Sequence, residues 1–213
     1  MAVRRFGIIT EADARLFEPG STVELERGGH VTPLAQDTLR ARRVTVVPAG
    51  SVDPALPADL APVFPVTRVA IGCDHTGLDL KKLIVDKLRK AAMAVNDVGT
   101  DTKDAVDYPD IASTVARAVT RKEADAGIVI DGAGLGSAIA ANKVRGALAA
   151  MCTTPTLARY AREHNGANVL ALGATLVSAA EAAEIVEMFL TTPTKEPRYL
   201  RRLLKVRRLE ERF

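Results

Sequence analysis

The chain has no tryptophan, and aromatic residues make up only 4% of it. A surface that grips nucleic acid by stacking bases needs such rings, so that class of partner has little to bind. Cysteine is nearly as scarce. Cys73 and Cys152 are the only two, and neither has the C-x-x-C spacing of a zinc or dithiol site, so both read as reduced core residues. No apolar run approaches the ~18 residues of a membrane span. The apolar stretch near the start is interrupted by Thr10, Glu11 and Asp13, too early for a secretory core of about 7–15 residues. The expectation is a soluble cytoplasmic protein without a membrane or nucleic-acid partner. Charge is nearly balanced at +3 overall, but Lys195 to Phe213 holds eight Lys/Arg against three Glu. That local excess of five leaves −2 on the preceding 194 residues. A basic helical tail without aromatics reads as a solvated face or an anion-binding arm.

With 213 residues, 47% of them hydrophobic, the chain is long enough for one α/β domain plus an appendage, at about 100–200 residues per domain. The first 47 residues form a small module. In it TEADARLF reads as a helix capped by Thr10, TVELE as a strand, TPLAQDTLRARR as a helix with Pro33 in its first turn, and VTVV as a strand. So short a module buries little surface and is expected to pack on the main body or on a partner. Residues 48–66 carry five prolines, Pro48, Pro54, Pro57, Pro62 and Pro65, and read as an extended linker. From 67 to 192, five short apolar runs (VAIG, AVNDV, AGIVID, GALAAM, NVLALG) mostly alternate with segments of helical spacing. Strands apolar throughout belong to a parallel sheet covered on both faces, so a doubly wound five-stranded α/β domain is predicted, with a small α+β appendage before it. Residues 193–213 form a basic C-terminal helix, in which Leu200, Leu203, Leu204 and Val206 make an apolar stripe.

In such a sheet, ligands gather beyond the carboxyl ends of the strands. Four segments are assigned there: GCDHTG with Asp74 and His75, DAVDYP with Tyr108, the glycine loop DGAGLGS, and AREHNGAN with His164 and Asn165. Gly132, Gly134 and Gly136 allow close backbone approach, and the helix that follows offers free N–H groups, so the loop suits an anion. A turn that needs small residues for tight helix packing explains it equally well. It is neither a dinucleotide fingerprint, lacking the G-x-G-x-x-G spacing, nor a P-loop, lacking Gly-Lys-Ser/Thr. His75 and His164 are acid–base candidates. His30, in the appendage, has no assigned role. No spacing among Asp74, His75 and His164 favours a metal.

Taken together, GCDHTGLDLKK, VGTDTKDAVDYPD, the glycine loop running into IAANKV, and AREHNGANVLALGA resemble the ribose-5-phosphate isomerase type B and galactose-6-phosphate isomerase family. They stand in the family's order over about two thirds of the chain. The resemblance implies a homodimer or higher homo-oligomer with sites at the subunit interface, no metal or organic cofactor, and aldose–ketose isomerisation of a phosphosugar through an enediolate. It places Asp74, His75 and Tyr108 against the substrate, Gly132, Gly134 and Gly136 around the enediolate oxygen, His164 in ring opening, and Asn165 on the sugar oxygens. Arg198 and Arg202, with His75, hold the phosphate. Preorganised N–H donors at a developing charge contribute about 3–4 kcal/mol each.

Departures from the family pattern are specific. Asp131 stands where many members carry a cysteine base, Ala133 where a threonine is usual, Thr175 in place of an arginine, and Tyr199 in place of a histidine. Where some branches use a glutamate farther along the loop, this chain has Ser137 and Ala138. Two roles for Asp131 follow. It is the base, its pKa raised by partial burial from ~3.9, or it folds over to cap the following helix. The resulting reading is a phosphosugar isomerase interconverting ribose 5-phosphate and ribulose 5-phosphate. The alternatives are a non-catalytic phosphosugar-binding or assembly protein and an isomerase of another phosphosugar. The appendage resembles N-terminal modules of bacterial microcompartment enzymes, implying a shell or cargo partner and a place inside a microcompartment.

Overall fold

A computed structural model describes residues 5–49, 56–57 and 59–210. Most of the expected linker's first half therefore lies outside the described residues. The chain divides into two units, before and after the Leu56–Pro57 junction.

The first unit alternates strand and helix: β1 (Arg5–Ile9), α1 (Glu11–Leu16), β2 (Thr22–Val31), α2 (Pro33–Ala41) and β3 (Thr45–Pro48). Both helices start as the sequence predicts. Thr10 and Asp13 form a reciprocal capping box, and Pro33 opens α2, where its missing N–H costs nothing. Strand β1 was not anticipated. It pairs parallel with β2, and β2 pairs parallel with β3, so this module is a small α/β unit and not a segregated α+β one. Ile9, Ala14, Phe17, Val23, Ala35, Leu39 and Val44 make its core.

The second unit contains β4 (Arg68–Cys73), α3 (Leu78–Lys90), β5 (Ala94–Asp97), α4 (Tyr108–Thr120), β6 (Ala126–Asp131), α5 (Leu135–Ala141), β7 (Ala149–Met151), α6 (Pro155–Asn165), β8 (Val169–Gly173), α7 (Ala179–Thr191) and α8 (Pro197–Glu210). Its sheet is five-stranded, in the order β5-β4-β6-β8-β7, and every pairing is parallel. Alternate residues of β4 go to opposite faces, as the period of two requires. Val69, Ile71 and Cys73 join the core against α3, α6 and α7, whereas Ala70 joins the one against α4 and α5. That second face is built of small residues. Gly72 lies against Ile111 and Val115, and Gly127 against Val115 and Val119, which lets α4 approach the sheet closely. Both cysteines are free and buried, and burial pushes each thiol up to about 11.

Residues 59–66 are not an open linker. Leu60 and Val66 are buried, Arg162 donates to the Val63 carbonyl, and Arg207 donates to the Asp59 carbonyl. The C-terminal helix packs on α6, through Tyr199 and Leu203. The expected stripe is thus rotated: Val206 is exposed, and Tyr199 pairs with Leu203 one turn apart.

Candidate active site

Strand β6 is buried along its whole length between β4 and β8, and it delivers Asp131 to the carboxyl end of the sheet. There the Asp131 carboxylate turns back on its own loop. One oxygen accepts from the N–H of Ala133 at 2.8 Å and from the N–H of Gly134. The other accepts from the N–H of Ser137 at 2.9 Å. Three backbone donors meet about four acceptor sites, which nearly saturates the carboxylate. Burial works to raise its pKa, but these hydrogen bonds outweigh burial and hold Asp131 below the ordinary value of 3.8. The expectation that burial raises this pKa is therefore overturned, because burial here comes with charge-stabilising donors.

The loop's shape needs two of its glycines. Gly134 has φ +76°, in the left-handed region that costs a side chain most. At Gly136 a Cβ would lie 2.6 Å from Cζ of Tyr108, so that ring rests directly on the loop. Tyr108 is the first residue of α4. The preceding segment is anchored by buried Lys81, whose Nζ donates to Asp97 at 2.8 Å and to the Thr100 carbonyl at 2.9 Å. Burial opposes that charge, yet the Asp97 carboxylate wins and holds Lys81 above the usual lysine range. Beside Gly132 stands Thr76. Its hydroxyl donates to Asp74 Oδ1 at 2.5 Å, and its N–H does so at 2.9 Å. Asp74 thus closes its own turn after β4. His75 Nδ1 is buried with no partner among the described residues. Thr175 donates to the Gly132 carbonyl at 2.7 Å, so it ties down the loop and brings no positive charge there.

His164 and Asn165 are elsewhere. The sequence reading put AREHNGAN at the carboxyl end of the sheet, but α6 runs on through Asn165 to a left-handed cap at Gly166. These residues therefore form the last turn of a helix that leads into the amino end of β8. Arg198 and Arg202, on α8, join them. The His164 ring lies 4.2 Å from the Tyr199 ring, the Arg198 guanidinium is 4.6 Å from Tyr199, and Arg202 is 5.9 Å from it. His164, Asn165 and Arg202 line a cavity of about 190 Å³ beside edge strand β7.

The structure thus gathers the sequence-selected residues into two groups. Asp74, His75, Tyr108, Asp131, Gly132, Gly134 and Gly136 lie at the carboxyl end, and His164, Asn165, Arg198 and Arg202 at the amino end of β8. Among the described residues, no hydrogen bond, ion pair or ring contact joins the groups. Sequence reasoning passed over Thr76, whose D-x-T spacing marks an Asx-type turn. It named Ser137 only for the glutamate it replaces, although it is a donor to Asp131. It also overlooked Tyr160, whose i, i+4 spacing to His164 was legible. Among the described residues no group of three or more His, Cys, Asp or Glu is placed to hold a metal ion, and no helix is long and apolar enough to cross a membrane.

Known proteins carry the same plan. The chain is 41% identical over 145 residues to ribose-5-phosphate isomerase B of Escherichia coli, a match covering 68% of this chain and 97% of that protein. The solved structure of ribose-5-phosphate isomerase B from Clostridium thermocellum superposes with a TM-score of 0.67 at 46% identity, over 68% of this chain and 98% of that one. The Mycoplasma genitalium ribose-5-phosphate isomerase B, solved with bound ribulose 5-phosphate, gives 0.66 at 41% identity, covering 68% and 97%. The model of the ribose/galactose isomerase family matches residues 69–206, a span that holds both residue groups and starts after the N-terminal unit. With the family model matched over more than half of its length, this chain belongs to the ribose/galactose isomerase family.

Proposed function

We propose that the chain is a phosphosugar aldose–ketose isomerase that interconverts ribose 5-phosphate and ribulose 5-phosphate through an enediolate. The observation that carries the reading is Asp131, an ionised carboxylate at the centre of the glycine loop, with Tyr108 on one side and the Asp74–Thr76 turn on the other. In this reading Asp131 leaves part of its hydrogen-bonded cap when sugar enters. It then takes the proton from C2, and the vacated N–H groups receive the enediolate oxygen. His164 opens the sugar ring, Asn165 bonds its hydroxyls, and Arg198 and Arg202 grip the phosphate with His75. No cofactor is required.

Two copies of the chain make one site. The carboxyl-end group of one copy meets the amino-end group of the second, in a homodimer closed by two-fold symmetry. Leu135 and Ile139, one turn apart on α5 and 58% and 64% exposed, supply an apolar face beside the loop for this contact. The N-terminal unit, outside the family match and with its own core, serves targeting or assembly in a microcompartment.

Solvent-deuterium exchange at C2 of ribose 5-phosphate tests the chemistry. Wild type should exchange, and Asp131→Asn should lose at least ~10²-fold, the lower range of general-base catalysis. The closely capped carboxylate favours a second reading, a phosphosugar-binding protein without turnover. Tight ribose 5-phosphate binding by wild type with no exchange at all would select it.

A further inference from the structure

The His164 ring is in contact with two tyrosine rings. Tyr160, one turn earlier on α6, stacks on it with centroids 4.6 Å apart and planes 17° apart. Tyr199, from α8, lies against it at 4.2 Å and 33°. Cations close the ends of this stack. The Arg159 guanidinium sits 4.7 Å from the Tyr160 ring centre, and Arg198 donates to the Tyr199 hydroxyl at 2.7 Å while lying over its ring. A histidine in the last turn of a helix, its side chain 31% exposed, would otherwise turn freely about its last torsion. Two tyrosine rings at these distances restrict that rotation.

We propose that Tyr160 and Tyr199 are positioning residues, which fix the plane of the His164 ring so that its edge meets the anomeric centre of a cyclic phosphosugar. The inference rests on the ring-opening role given to His164 above. In that step an imidazole nitrogen takes the proton of the C1 hydroxyl, and the C1–O4 bond breaks with its electron pair going to O4. The C1 carbonyl forms as the imidazolium hands that same proton to O4, so atoms and charge balance without a co-reactant. In-plane lone pairs do this work, so a ring whose plane wanders spends little time aligned.

Two reactions of the same protein separate ring opening from enolisation. Ribose 5-phosphate is a furanose and must open. Ribulose 5-phosphate stays open-chain, because its 5-oxygen carries the phosphate, so solvent-deuterium exchange into its C1 needs enolisation alone. With both substrates saturating, so that any loosening of Arg198 is not read, Tyr160→Leu and Tyr199→Leu should each slow conversion of ribose 5-phosphate by roughly tenfold or more while C1 exchange stays within about twofold, as expected for lost orientation of one acid–base group. Tyr199→Phe, which retains the ring, should recover most of the loss. Equal losses in both reactions, or no loss in either, would overturn the clamp. His164→Gln keeps the two ideas apart. If it fails to show the selective loss, the ring-opening role itself falls. If it shows the loss and neither tyrosine variant does, only the clamp falls. Tyr199 is 8% exposed and Tyr160 40%, so Tyr160→Leu carries the test even if Tyr199→Leu does not fold.

Discussion

The two ends of the sheet hold opposite charge arrangements. At the carboxyl end, the N–H donors of the glycine loop are already occupied by Asp131, a carboxylate of the same chain. At the amino end, Arg198 and Arg202 lie against Tyr199, and no carboxylate among the described residues pairs with either. One end is filled by its own anion, and the other presents cations faced only by a ring. On the proposed function, a phosphate would gain most at the α6–α8 cluster. At the loop, an incoming oxyanion must displace a resident one. Under the proposed function, this difference assigns affinity to the cluster and chemistry to the loop.

The strongest test of that division mixes two inactive chains. Asp131→Asn spoils the loop end, and Arg198→Ala/Arg202→Ala spoils the cluster end. If each site draws one end from each copy, a mixed dimer keeps one intact site. Random exchange between two-fold dimers should then restore about a quarter of wild-type activity from two preparations that have almost none. Activity that stays absent, with exchange verified by native mass spectrometry, would place both ends of a site in one copy.

Next in size is the affinity carried by the arginines. A charge-assisted hydrogen bond contributes about 1.5–3 kcal/mol. Loss of both cations should weaken ribose 5-phosphate binding by on the order of 10²–10⁴-fold. Calorimetry on the double variant measures this, and a change below about threefold would break the assignment of affinity to the cluster. Inorganic phosphate should compete with sugar in the wild type and not in the variant.

Much of this architecture is legible in the sequence, for identifiable reasons. Strands β4, β6 and β8 are apolar along their length because both sheet faces are covered. Helices α1 and α7 announce themselves by capping boxes at Thr10 and Ser178. Residues 161–168 were assigned to the wrong end of the sheet, because a segment that closes a helix just before a strand lies at that strand's amino end. Gly166 is the left-handed residue that closes the helix, a common terminator. Strand β1 was missed because its five residues alternate poorly: only Ile9 is buried. The direction of the Asp131 side chain was open in the sequence. A carboxylate two, three and six residues before N–H donors can either cap them or point away.

A second aspartate sharpens the comparison between the ends. Asp125 immediately precedes β6, and Asp131 ends it. Asp125 accepts from the N–H groups of Thr67 and Arg68, both at 2.9 Å, and from the Arg68 guanidinium at 2.7 Å. Burial opposes ionisation, but these donors win and bring its pKa from 3.8 down to about 2. A depressed pKa stabilises the fold fully above the unfolded value, and that stability disappears as pH falls through the folded value. Asp125→Asn should therefore cost about 2 kcal/mol at neutral pH, and its difference from wild type in urea denaturation should shrink between roughly pH 4 and pH 2. A constant difference across that range would assign the loss to packing.

Asp131 should give the smaller effect, because it has no arginine partner among the described residues. Its contribution is that of a cap: the N–H groups of Ala133, Gly134 and Ser137 need an acceptor, and the carboxylate is the one they have. Asp131→Ala should lower stability by about 1 kcal/mol, the usual loss for removing a capping side chain. The folded pKa lies below 3.8, so this gap too should persist at neutral pH and close only as pH falls beneath that value. Asp131→Asn retains an acceptor oxygen and should recover part of the stability while recovering no proton exchange. If Asp131→Asn is as unstable as Asp131→Ala, the ionised carboxylate is indispensable to the loop, and loss of exchange in Asp131→Asn no longer isolates the base. If it is as stable as wild type and still exchanges protons, Asp131 is a cap alone. Stability retained with exchange lost leaves Asp131 with both roles: it shapes the loop when no sugar is bound, and it takes the proton when one is.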